Sequence, residues 1–189
     1  MRCFLAFDLP VPLLRLITGV QSHFRAEYPK LRWVKYENLH LTLHFLGEIS
    51  REIMDMIVEG CRPIVKQHKA FQVGAGELGA FPHWKAPAVL WLSLTGELGP
   101  MKQLHSQTAG IIKKMGLKLD NRPFLPHITL ARVPAGCKEG LNRASFDNFS
   151  FEEHKQQFSL SVLTLYTSEL RPQGPIYRPY CHFELRKEY

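Results

Sequence analysis

The sequence predicts an α+β fold, or a mixed α/β sheet, built as two similar lobes. Three observations carry this. Strand-length apolar runs are interleaved with helix-period segments, without a strict βαβ rhythm. The tetrad His40-Leu41-Thr42-Leu43 returns 87 residues later as His127-Ile128-Thr129-Leu130. The spacing upstream of each tetrad also repeats: 37 residues from Cys3 to His40, 38 from Val89 to His127. With 9 His in the chain, chance predicts about 0.05 tetrads of the form H-x-T-L, so the duplication carries information. A pseudo-twofold axis between the lobes would bring the two H-x-T strands face to face.

The elements follow in order. Residues 2–8 are apolar up to Asp8 and form a buried strand. Pro10 and Pro12 suit a first helical turn, after which Leu13, Leu14, Ile17, Val20 and Phe24 keep a helical period. Residues 39–46 alternate His and Thr with Leu, and Gly47 ends the strand. Ser50 caps a helix with Ile53, Ile57, Cys61 and Ile64 on one face. Strands over 71–75 and 88–94 come next. Pro100 opens a helix that turns Met101, Leu104, Thr108, Ile111, Ile112 and Met115 inward and stops at Gly116. Residues 127–133 form a strand, 134–150 a loose stretch, and 158–167 the clearest alternating strand. A last strand covers 177–185. Residues 1–189 are expected to be a single domain of two lobes.

Composition narrows the function classes. A net charge of +7 favours an anionic partner, such as nucleic acid or a phosphorylated small molecule. No apolar run reaches the roughly 18 residues that span a bilayer. The apolar N-terminus, stopped by Asp8 and Pro10, is too short for a signal-peptide core. Cys3, Cys61, Cys137 and Cys181 are scattered without C-x-x-C spacing, which argues against a zinc knuckle and for a reduced, cytoplasmic setting. P-loop and G-x-S-x-G patterns are absent.

The chemistry therefore rests on the tetrads. In a strand, residues i and i+2 share a face, so His40 goes with Thr42 and His127 with Thr129. The intervening Leu41, Leu43, Ile128 and Leu130 turn into the lobe cores. Two imidazoles can act as an acid–base pair near neutrality, and two hydroxyls can hold phosphate oxygens. No Asp, Glu or Cys lies within either tetrad, so no metal is expected there. His44 shares the His40 face by alternation, about 13 Å along, too far to join it on one metal.

These tetrads, with their flanks, resemble the 2H phosphoesterase superfamily. Within it the chain is similar to the RNA 2′,3′-cyclic phosphodiesterases, the 2′-5′ RNA ligase-like family. The resemblance is carried by Arg2-Cys3-Phe4-Leu5-Ala6-Phe7, by His40 through Gly47, by Phe81-Pro82, by Arg122 through Arg132, and by Ser168-Glu169-Leu170 followed by Gly174-Pro175-Ile176-Tyr177. It implies a bilobal duplicated α+β fold, with two antiparallel sheets around a central cleft and helices outside. It implies metal-independent opening of a 2′,3′-cyclic phosphate to a 2′-phosphomonoester, with no cofactor. His40 would be the proton donor and His127 the acceptor, although the symmetric tetrads cannot by themselves order these roles. Thr42 and Thr129 would bind the phosphate, Arg132 would add a charge-assisted contact, and Arg122 would reach the nucleotide. Phe45 would stack on a base, which requires the strand to bend, since strict alternation turns it away from His40. The expected partner is RNA with a 2′,3′-cyclic phosphate end, or small cyclic nucleotide phosphates. A monomer without membrane attachment is expected. Two alternatives stand beside this reading. One is 2′-5′ RNA ligation by the reverse chemistry. The other is a non-catalytic RNA-binding module, which would not need both histidines.

Overall fold

The structure is a computed structural model that describes residues 1–149, 156–172 and 174–186. Strand β1 (Arg2–Asp8) puts Cys3, Leu5 and Phe7 into the main core and leaves Phe4 and Ala6 on its other face. Helix α1 (Val11–Glu27) begins at Pro10, with Pro12 in its first turn, where a missing N–H costs nothing. It buries Leu13, Ile17, Val20 and Phe24. A two-residue strand, β2 (Arg32–Trp33), and a 3-10 turn at Tyr36–Asn38 lead into β3 (His40–Glu48). Helix α2 (Arg51–Val65) starts where the Ser50 hydroxyl accepts the Ile53 N–H. Strands β4 (Phe71–Phe81) and β5 (Val89–Gly96) precede α3 (Leu98–Lys114), which is closed by Gly116 at φ 80°. Then follow β6 (His127–Arg132), a 3-10 turn at Ala135–Gly140, the short α4 (Arg143–Asp147), and β7 (Phe158–Leu160), β8 (Val162–Arg171) and β9 (Gly174–Glu184).

The nine strands form one curled antiparallel sheet in the order β7-β4-β5-β6-β3-β1-β8-β9, with β2 on β6. The two expected sheets are its two halves. They meet at the β3–β6 seam, where Leu41 faces Ile128, the single pairing of these strands among the described residues. Outward from the seam the order is β3-β1-β8-β9 on one side and β6-β5-β4-β7 on the other. Thus β1, α1 and β3 match β5, α3 and β6. Each half also lends strands to the other: β2 and β4 precede β5 in the chain but join the β5–β6 half, and β8 and β9 join the β1 half. Helices α1, α2 and α3 contribute to one continuous core on one face of the sheet, leaving the opposite face around the seam free of them.

Three expectations change. The alternating run 158–167 is two strands: β7 pairs with β4 and β8 with β1, so the chain crosses between halves at Ser161. Alternation does not reveal which partner each part will take. Strand β4 runs to Phe81 instead of ending near 75, because its glycines read locally as turn residues. They are needed where β5 side chains lie over the strand: a Cβ at Gly79 would stand 2.3 Å from the Trp91 ring. Strand β3 continues one residue past Gly47, whose φ of 72° fits an irregularity in the β1–β3 register.

Candidate active site

The site lies on the sheet face opposite the helices, at the seam. Because Leu41 pairs antiparallel with Ile128, their neighbours meet on the other face: His40 beside Thr129, and Thr42 beside His127. The four tetrad side chains that spacing predicted are therefore brought together, and all four are half-buried.

Both histidines are fixed in the same way. Nδ1 of His40 lies 2.8 Å from the Asn38 carbonyl, and Nδ1 of His127 lies 2.7 Å from the Leu125 carbonyl. A carbonyl only accepts, so each Nδ1 carries the hydrogen, and each neutral ring keeps its lone pair on Nε2. Among the described residues neither Nε2 has a protein partner. Asn38 is itself anchored, donating from Nδ2 to the Pro175 carbonyl at 3.0 Å.

Aromatic rings wall each imidazole. Phe4 stands 4.9 Å from His40, and Tyr177 meets it edge-on at 5.3 Å. Phe4 also stacks on Tyr166 at 5.2 Å. On the other side, Phe81 meets His127 edge-on at 4.9 Å and stacks on Trp91 at the same distance. The sequence reading assigned none of these rings a role, since each reaches the site across strand pairs far apart in the chain. The signal was indirect: Phe4, Phe81 and Tyr177 lie within the runs that carried the resemblance.

Burial pushes the His40 imidazole below the ordinary histidine value. The Asn38 carbonyl and then the Asp8 charge oppose this, while His127 and Arg132 add to it. Burial also lowers His127, with the Leu125 carbonyl opposing.

Two β-bulges complete the site. In β3, Leu5 pairs with His44 and Ala6 with Thr42, so Leu43 is an extra residue. In β6, Leu90 pairs with Ala131 and Trp91 with Thr129, so Leu130 is extra. Each bulge lies three residues after its histidine and shifts the alternation by one. Consequently Phe45 and Arg132, each five residues after its histidine, return to the histidine face. Phe45 is 65% exposed, with its ring 6.3 Å from Phe4. The bend that its assignment required is the bulge.

The same bulge corrects the reading of His44. It lies on the core side, buried, with Nε2 2.9 Å from the Thr108 hydroxyl and its ring stacked on His105 at 4.3 Å. Arg122 is held elsewhere: its guanidinium grips Asp120 through Nε and Nη2 and is 87% exposed. No contact links it to the histidines among the described residues. Nor do those residues gather three or more His, Cys, Asp or Glu side chains where a metal ion could be held. Among the described residues no helix is long and apolar enough to cross a membrane.

A duplicated α+β sheet with one H-x-T strand from each half meeting at a shared seam defines a class, the two-histidine phosphoesterases. More narrowly, the chain belongs to the LigT-like phosphoesterase family, whose model matches residues 8–91 and 96–177, one tetrad in each span. Similar proteins bear this out. The RNA 2′,3′-cyclic phosphodiesterase of Archaeoglobus fulgidus is 30% identical over 97% of this chain and 100% of its own. That of Thermus thermophilus is 31% identical over 100% of this chain and 92% of its own. A crystal structure of a Thermus thermophilus protein superposes with a TM-score of 0.82 at 26% identity, both chains covered in full. Escherichia coli LigT complexed with 3′-AMP gives a TM-score of 0.72 at 28% identity, with 97% of each chain covered.

Proposed function

We propose that this protein hydrolyses RNA 2′,3′-cyclic phosphate ends to 2′-phosphomonoesters, with His127 as the base and His40 as the acid. The observation that carries the reading is the shared fixation of the imidazoles. Each is tied at Nδ1 to a carbonyl two residues upstream, which leaves Nε2 of both rings without a protein partner among the described residues and available for proton transfer. Relatives named RNA 2′,3′-cyclic phosphodiesterases, about 30% identical over most of the chain, supply the substrate class.

The chemistry then balances. Nε2 of His127 takes a proton from water as the water oxygen bonds to phosphorus. The bond from phosphorus to O3′ breaks, and Nε2–H of His40 delivers its proton to O3′. The product is a 2′-phosphate and a free 3′-hydroxyl. His127 ends protonated and His40 neutral, and exchange with solvent resets both. Thr42 and Thr129 donate to the non-bridging oxygens, and Arg132 adds positive charge. Phe45 offers an exposed ring for a base. No step requires a metal, because two imidazoles supply the proton transfers and hydroxyls make poor metal ligands.

The test is an oligoribonucleotide ending in a 2′,3′-cyclic phosphate, incubated with the protein in EDTA. The expected product is the 2′-phosphomonoester alone. A 3′-phosphate product, an inactive chelated protein restored by zinc or manganese, or binding without turnover would each refute the proposal.

A further inference from the structure

The two tetrads share the H-x-T-L pattern, a bulge and an Nδ1 hydrogen bond. They differ in what faces them from the adjacent strand. The partner of His127 on β5 is Ser93, which is uncharged and whose Oγ accepts the Glu77 N–H at 2.6 Å. The partner of His40 on β1 is Asp8. Directly paired residues project to the same face, so this carboxylate stands beside the imidazole.

Asp8 is clamped there. Tyr166 Oη donates to Oδ1 at 2.6 Å, and Thr164 Oγ1 donates to Oδ2 at 2.9 Å. The buried Thr164 has one hydroxyl hydrogen, already given to Asp8, so its oxygen accepts from His182 Nδ1 at 2.8 Å. The chain of donors runs from His182 through Thr164 to Asp8. The carboxylate makes no hydrogen bond to His40, whose Nδ1 is committed to Asn38, so it acts on that ring as a fixed charge.

We propose that Asp8 is the positioning residue that makes His40, and not His127, the imidazole holding the proton, and so gives a nearly symmetric site one direction. This rests on the hydrolytic reading above for its consequence, but not for its physical content. The other groups facing His40 do not substitute. Tyr166 and Tyr177 are kept protonated, first by burial. His127 and Arg132 repel a proton on His40, each by less than Asp8 attracts it. His182 is engaged through Thr164.

The experiment is an NMR titration of the imidazoles in wild type and Asp8→Asn, beside the pH profile of kcat/KM on a cyclic-phosphate oligoribonucleotide. In Asp8→Asn the His40 midpoint should fall by about one pH unit while His127 stays put. The alkaline limb of the profile, which reports the acid, should move down equally, with about tenfold less activity above it. Asp8→Glu should recover part of the shift. An unmoved His40 midpoint, a shift of His127 instead, or a uniform loss of rate with no change in profile would overturn the proposal. Asp8→Ser gives a second uncharged variant with the same expectation. If both uncharged variants fail to fold, Asp8 is structural and the proposal falls. The titration needs no substrate, so a wild type that leaves cyclic phosphate intact would refute the hydrolytic reading while the His40 shift is still judged by itself.

Discussion

Gly79 faces the Trp91 indole across the β4–β5 pair, and alanine there should disturb the wall beside His127. An added Cβ would lie 2.3, 2.5 and 2.6 Å from three atoms of the ring. Ordinary contact begins at 3.4 Å, so the ring must retreat by about 1 Å. It has little room, because Phe81 stacks on it at 4.9 Å and the His127 ring lies 6.1 Å away. Overpacking of this kind costs about 1–3 kcal/mol. The displacement would pass to Phe81 and His127, where a misplacement of about 1 Å can cost on the order of 10²-fold in rate. The assay is urea unfolding for stability, with single-turnover cleavage of a cyclic-phosphate oligoribonucleotide for rate. Gly19 supplies the control. It sits within α1 with nothing within 4 Å of its would-be Cβ, so Gly19→Ala should stabilise by up to about 1 kcal/mol and leave the rate alone. A folded Gly79→Ala protein with wild-type stability and rate would refute the claim that this glycine seats the wall.

Replacing His40 or His127 by alanine should each cost about 10²–10⁴-fold in single-turnover rate, and the double variant much less than the product of the two losses; near wild-type hydrolysis by a folded double variant would show that these histidines are not the acid and base. Phe45→Ala should leave stability within about 0.5 kcal/mol, as expected for an exposed ring, and should raise KM more than it lowers kcat; steady-state kinetics would show a kcat effect instead if Phe45 does not hold the nucleotide. The buried His44 is lowered to about 3, chiefly by burial. The unfolded chain then binds more protons than the folded one between about pH 6.5 and 3, so this contribution to stability is full above pH 6.5 and lost as pH falls. Unfolding free energies measured across that window should decline in wild type and decline less in His44→Gln, and equal slopes would show that His44 is not responsible.

The sequence by itself determined the chemistry-bearing pairs and much of the scaffold. The H-x-T alternation set His40, Thr42, His127 and Thr129 on one face, because side-chain direction in a strand is a local property of the backbone. Likewise Ser50, Pro12 and Gly116 marked helix ends through their own backbone chemistry. What only the tertiary structure decided is everything that depends on a partner strand. The bulges at Leu43 and Leu130 exist relative to β1 and β5, and no alternation pattern contains them. They turn His44 into the core and bring Phe45 and Arg132 back to the histidine face. Strand exchange divides 158–167 between the halves, because pairing is chosen by distant segments and not by the run's own pattern. The tetrads look interchangeable in sequence, but β1 sets Asp8 beside one histidine and β5 sets Ser93 beside the other. A charge acts through space, so that asymmetry appears only once the strands are paired.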